Sequence, residues 1–70
     1  MNEIALRSSV LAGLRYDADQ QQLRLRFRNG DLYIYETVPP SVVQALIDAP
    51  SHGQYFNSAI RMCFPCRRLS

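Results

Sequence analysis

The side chains with the most capacity for chemistry in this 70-residue chain are its arginines and tyrosines. All eight basic residues are Arg, none is Lys, and there are four Tyr. A guanidinium pairs bidentately with phosphate and lies flat against rings, whereas an ammonium acts as a point charge. Three of the arginines alternate along Leu23-Arg24-Leu25-Arg26-Phe27-Arg28, and Tyr33-Ile34-Tyr35 follows just beyond Asn29-Gly30. Cations interleaved with rings on one sheet surface can hold a single-stranded nucleic acid. Arg neutralises phosphate, and each ring stacks a base for about 1–3 kcal/mol. The structural use of the same residues is the solvent side of an ordinary hairpin, where cross-strand pairs contribute roughly 0.2–1 kcal/mol. Arg61, Arg67 and Arg68 lie near the C-terminus, so residues 60–70 carry +3 in a chain whose net charge is +2. That concentration points to an anion-facing patch.

Other candidate groups are fewer. Asn57 and Arg61 are four apart in a helical pattern and form a clamp for an anion or a carbonyl, or else brace the loop after Gly53. Cys63-Phe64-Pro65-Cys66 is a C-x-x-C pair. With His52 as the single His and no third Cys, a four-ligand structural zinc site in one chain is improbable, and no metal or cofactor is expected. A redox role for Cys63 and Cys66 is a weaker alternative, because the motif lies near the chain end with no βαβ unit around it. His52 between Ser51 and Gly53 reads as an exposed turn residue. Ser8-Ser9 has no His–acid set to activate it and reads as backbone capping. The six carboxylates are scattered and the three glycines too dispersed to cradle a phosphate. The chain is read as a non-enzymatic module.

These groups must be positioned by a small scaffold. At 47% hydrophobic and 20% charged, the chain is too apolar for a disordered tail. Uncharged runs such as Thr37–Ile47 fall far short of the roughly 20 apolar residues of a bilayer span. The start lacks a signal-peptide pattern, and the expected location is the cytoplasm. Residues 1–7 read as a flexible leader and 8–70 as one domain. Val10 to Tyr16 predicts a first strand with Val10, Ala12, Leu14 and Tyr16 on one side. Asp17 to Gln21 is a polar turn. Leu23–Arg28 and Asp31–Tyr35 predict a hairpin, since Asn-Gly between alternating runs favours a two-residue type I′ turn. That turn sets Arg28 opposite Asp31, Arg26 opposite Tyr33 and Arg24 opposite Tyr35. One side then carries Leu23, Leu25, Phe27, Leu32 and Ile34 as the core. The other carries Arg24, Arg26, Arg28, Tyr33 and Tyr35, with Arg15 beside them. Pro39-Pro40 opens a helix over Ser41–Ala49, Pro50 ends it, and Gln54–Arg61 predicts a short second helix. The tail from Met62 packs as a short extended edge. The predicted class is α+β: a three-stranded antiparallel sheet followed by a helix and a short second helix on one face. Such a domain buries only about 60% of its unfolded surface, so a second copy is a natural partner.

The residues Ser8-Ser9, Tyr16-Asp17, Phe27-x-Asn29-Gly30, Tyr33-x-Tyr35, Val38-Pro39, Gly53-x-Tyr55-Phe56-Asn57 and Ile60-Arg61 resemble the KTSC domain family. The family is named for the C-terminus of some lysyl-tRNA synthetases and also occurs as small bacterial and phage proteins. The resemblance runs from Ser8 to Leu69, implies the fold above, and carries a suggestion of RNA binding. Where the family pattern leads one to expect a Tyr-Pro-Tyr-like stretch, this chain has Cys63-Phe64-Pro65-Cys66, so a thiol role is not inherited. The expected function is RNA binding through Arg15, Arg24, Arg26, Arg28, Tyr33 and Tyr35, supported by Asn57, Arg61, Arg67 and Arg68. The alternative is a homo-oligomeric module that binds a protein or a small ligand, such as a phosphorylated metabolite or nucleotide.

Overall fold

The computed structural model describes residues 3–69; Met1 and Asn2 of the expected leader and Ser70 of the expected domain lie outside them. Among the described residues the chain forms one antiparallel meander, β1 (Ile4–Ala5), β2 (Leu11–Asp17), β3 (Gln22–Phe27), β4 (Leu32–Tyr35) and β5 (Cys66–Arg68), paired in that order. Helix α1 (Pro40–Asp48) and helix α2 (His52–Tyr55) follow β4, and α2 runs directly into a π turn at Phe56–Ile60. The α+β class stands, but the sheet has five strands rather than three. No helix of the described residues is long and apolar enough to cross a membrane.

The two extra strands are the short edges. Ile4 pairs with Leu14 and Ala5 with Gly13, and Leu6 is buried in the core, so part of the stretch read as a leader is structural. The tail forms the edge that Met62 onward was expected to supply, with Arg67 beside Ile34 and Cys66 beside Tyr35. Both edges are very short and β5 carries Arg67 and Arg68, features that discourage further strand pairing.

The hairpin exists, but its register differs by one residue. The pairs are Leu23 with Tyr35, Arg24 with Ile34, Leu25 with Tyr33 and Arg26 with Leu32. The loop has three residues, Arg28-Asn29-Gly30, closed by Phe27 N–H donating to Asp31 O at 2.9 Å and Gly30 N–H to Phe27 O at 3.0 Å. Only Gly30 has positive φ, at 96°; a type I′ turn needs Asn29 there as well. The Asn29 side chain instead accepts from Asp31 N–H at 3.0 Å, which stabilises the three-residue form. A one-residue slip turns every side chain of one strand to the other face. Tyr33 and Tyr35 therefore join Leu23, Leu25 and Phe27 on the inner side, while Leu32 and Ile34 join Arg24 and Arg26 outside.

Strand β2 carries a second departure. A bulge between Leu11 and Gly13 inserts Ala12 and breaks the alternation. Leu14 and Tyr16 face inward as expected, Leu11 replaces Val10 in the core, and Val10 is left exposed.

The inner face packs against the helices. Leu11, Leu14, Leu23, Leu25, Val38, Leu46 and Ile60 are fully buried there. Tyr16 O–H donates to Val38 O at 2.6 Å and pins the segment between β4 and α1 to β2. Pro40 opens α1 at a position where a missing N–H has no partner to lose. At the other end Leu46 O accepts from Ala49 N–H and from His52 Nδ1–H at 2.8 Å. His52 is thus a half-buried brace between the helices rather than an exposed turn residue. Ser8 Oγ accepts from the N–H groups of Val10 and Leu11, the capping role expected of Ser8-Ser9.

Candidate functional site

The slip separates the arginines from the tyrosines, so the single Arg/Tyr surface expected from the sequence does not form. Arg15 faces Arg24 directly across β2 and β3, and Arg26 lies beside Gly13, all on the outer side away from the helices. Arg67 lies on the same side at the far edge, next to Ile34. Ile34 is only 4% exposed although it sits on this outer side. Its strand neighbours are Arg24 and Arg67, whose aliphatic stems cover apolar surface while their charged heads remain in water.

Two of these four guanidiniums are compensated and two are not. Arg26 makes a bidentate pair with Glu3, Nε to Oε1 and Nη2 to Oε2 both at 2.8 Å. Gly13 makes room for it: a Cβ there would lie 2.7 Å from the Glu3 carboxyl carbon. The hydrogen bonds from Arg26 hold the Glu3 carboxyl below its usual value, with the charge of Arg15 adding to the effect. Arg67 has a long contact to Glu36 at 3.9 Å. Among the described residues, Arg15 and Arg24 have neither an ion pair nor a side-chain hydrogen bond. Like charges directly opposite on a sheet repel. Shallow hollows lie on either side of this pair, one of about 380 Å³ toward Asp17 and Gln22 and one of about 350 Å³ toward Glu3 and Leu32. Chemically this is a flat, cationic surface without exposed rings, able to take phosphate oxygens at two adjacent guanidiniums.

Arg28 is not part of it. Its guanidinium donates to Ser8 O at 2.9 Å and Leu6 O at 3.0 Å, tying the β1–β2 connection to the hairpin, which is a structural role. Arg68 is on the inner side, where it pairs with Asp31 at 3.0 Å.

The inner side carries a chain of rings. Phe27 meets Tyr33 at 5.6 Å and Phe56 at 5.4 Å, and Tyr35 meets Phe56 at 5.6 Å, all edge to face. Tyr35 is buried, and burial, reinforced by the neighbouring Cys66, pushes its phenol up to about 12. Phe27 and Tyr33 are only partly covered. With Asn57 and Arg61 they line an open cavity of about 480 Å³. The helix thus brings Asn57 and Arg61 to one place, as their spacing predicts, but beside Tyr33 and Tyr35 rather than beside Arg24 and Arg26.

Cys63 and Cys66 are free and exposed. Cys66 opens β5 and Cys63 N–H bonds back to Ile60 O, so neither sits at a helix N-terminus, the usual device for stabilising a thiolate. Among the described residues no three His, Cys, Asp or Glu side chains gather as a metal site. Three contributors escaped the sequence reading. Glu3 lay in a stretch read as loose, although Ile4-Ala5-Leu6 after it is apolar enough to pack. Phe27 read as plain core and Phe56 only as part of the second helix, and the long-range contact between them shows that they floor a cavity.

Comparison with known proteins agrees with this architecture. A KTSC domain model matches residues 7–64. A protein of Yersinia pestis described as a KTSC domain protein has a crystal structure that superposes with a TM-score of 0.94 at 30% identity, covering 99% of this chain and 97% of that one. An uncharacterised protein of Stutzerimonas stutzeri is 51% identical over 61 residues, covering 87% of this chain and 86% of that protein. A lysine–tRNA ligase of Nostoc punctiforme is 42% identical over 62 residues, 89% of this chain but 11% of the ligase. The five-stranded meander, its helical cover and these matches place the chain in the KTSC domain family.

Proposed function

We propose that this domain is a non-enzymatic module that binds RNA through its phosphates, using the outer face of the sheet. The carrying observation is the Arg15–Arg24 pair: two arginines directly opposite on β2 and β3, neither in an ion pair among the described residues, with Glu3 acting on Arg15 only beyond ion-pair distance. Folding alone gains nothing from that arrangement, whereas an anion lying across both relieves the repulsion and accepts bidentate hydrogen bonds. Arg26 and Arg67 extend the surface along the sheet. Support also comes from the ligase relative, whose name ties the enzyme that contains this domain to a tRNA. Rings are turned to the other side, so this face has no means of stacking bases. The reading is therefore sequence-tolerant contact with an RNA backbone, not readout of unpaired bases. A cytoplasmic location, where RNA is at hand and the two thiols stay reduced, belongs to the same reading.

The test is fluorescence anisotropy of a labelled tRNA and a labelled mixed-sequence single strand at low salt. We expect the structured RNA to bind at least as tightly as the single strand, and the Arg15→Gln/Arg24→Gln variant to lose most of the affinity for both. Absence of binding to either RNA at low salt refutes the proposal.

A further inference from the structure

We infer that the inner-side cavity is a second, separate site, shaped for a nucleoside monophosphate. Its floor is aromatic: Phe27 and Tyr33 are only partly covered, while Tyr35 and Phe56 beside them are buried. One wall carries Asn57 and Arg61, one helical turn apart and exposed. Neither the Arg61 guanidinium nor the Asn57 amide has a side-chain hydrogen bond or ion pair among the described residues. The acidic residue in the lining, Asp31, is already neutralised by Arg68 at 3.0 Å. The cavity therefore offers an aromatic apolar surface, one cation outside any ion pair and one side chain that both donates and accepts.

That set fits a flat heteroaromatic ring bearing an anion. The ring stacks on Tyr33, the phosphate meets Arg61, and the Asn57 amide pairs with a polar ring edge. Arg61 lies close enough to the rings for its charge to pull the Tyr35 phenol down slightly against the upward push of burial. A volume of about 480 Å³ is in the range of small-ligand sites, roughly 300–1,000 Å³. An apolar helix or a second copy of the chain fits less well, because either would bury Arg61 without a partner. Met62, 88% exposed at the margin, adds a flexible apolar edge able to follow a ligand's outline. The site lies on the opposite side of the sheet from Arg15 and Arg24, so it does not depend on the RNA reading.

The experiment is an NMR titration of the full chain with adenosine 5′-monophosphate, adenosine and inorganic phosphate in turn. The monophosphate is expected to shift the ring resonances of Phe27 and Tyr33 and the side-chain amide of Asn57. Adenosine and phosphate alone are expected to bind at least tenfold more weakly. Arg61→Gln is expected to cost at least tenfold and Asn57→Ala several-fold, both at exposed positions, while Arg24→Gln leaves the affinity unchanged. The inference is overturned if the ring resonances do not move at millimolar monophosphate, if the shifts map to the outer face, or if Arg61→Gln binds as tightly as wild type. It is equally overturned if sedimentation shows a dimer whose contact surface is this cavity.

Discussion

Replacing Arg24 by Met removes the charge that faces Arg15 while keeping a long unbranched stem beside Ile34. The two residues are direct cross-strand partners, and with no acid between them their guanidiniums repel. Directly opposed side chains start about 5 Å apart at Cβ, and any two unit charges about 6 Å apart in a water-like dielectric repel by about 0.7 kcal/mol. Direct cross-strand pairs contribute about 0.2–1 kcal/mol, so the two estimates agree. In a domain of this size 1 kcal/mol moves Tm by about 4–8 °C, and Arg24→Met should therefore raise Tm by about 2–5 °C at low salt. Salt screens charges separated by about a Debye length, roughly 10 Å at 0.1 M, so adding salt should stabilise wild type and close most of the gap. The same substitution should weaken RNA binding, since the charge that strains the fold is the one proposed to meet phosphate. The assay is thermal unfolding followed by circular dichroism at low and high salt, with anisotropy on the same samples. A variant that melts at or below wild type at low salt, or a wild type indifferent to salt, refutes the claim that this pair is uncompensated.

Three further outcomes follow from named contacts. Glu3→Gln should release Arg26 from its bidentate pair, strengthen RNA binding several-fold at low salt and steepen its salt dependence; unchanged affinity would place Arg26 outside the binding surface. Tyr16→Phe deletes the 2.6 Å hydrogen bond to Val38 O and leaves a buried carbonyl unpaired, which should cost about 1–3 kcal/mol in urea denaturation; a loss well under that range means water reaches the carbonyl. Burial raises the Tyr35 phenol from an ordinary 10.0 to about 12, so the fold favours its neutral form. That contribution is fully present below about pH 10 and lost as pH climbs toward about 12. Phenolate absorbance should accordingly show late ionisation linked to unfolding, and complete phenol titration near pH 10 with the fold intact contradicts it.

Much of the scaffold was legible because local rules decided it. Pro40 at the start of α1, the burial of Leu46 on the helix's apolar side, and the alternation of β3 all follow from side-chain spacing. The placement of Arg15 on the same side as Arg24 and Arg26 also followed, since it needed only Leu14 inward; its direct pairing with Arg24 did not. The hairpin register did not follow, because Asn-Gly, though it favours a two-residue turn, also serves a three-residue loop that needs positive φ only at the Gly. What separates the two is non-local. Only the longer loop turns Tyr35 toward Phe56, and that edge-to-face contact at 5.6 Å joins residues on different elements. The faces of the candidate site were therefore half right: the arginines stayed outside and the tyrosines turned in. Val10 was misplaced for a related reason, as a bulge at Ala12 has no signature in an alternating pattern. Glu3 was missed because two-residue edge strands leave too little periodicity to read.

The central claim is most directly tested by the salt dependence of RNA binding, plotted as log affinity against log salt for wild type and for Arg15→Gln/Arg24→Gln. Each phosphate neutralised contributes about 0.7–0.9 to the slope. The account expects the double variant to have a slope shallower by about 1.4–1.8, together with a large loss of affinity at low salt. Equal slopes for the two proteins would show that RNA, if bound at all, is held elsewhere, and would contradict it.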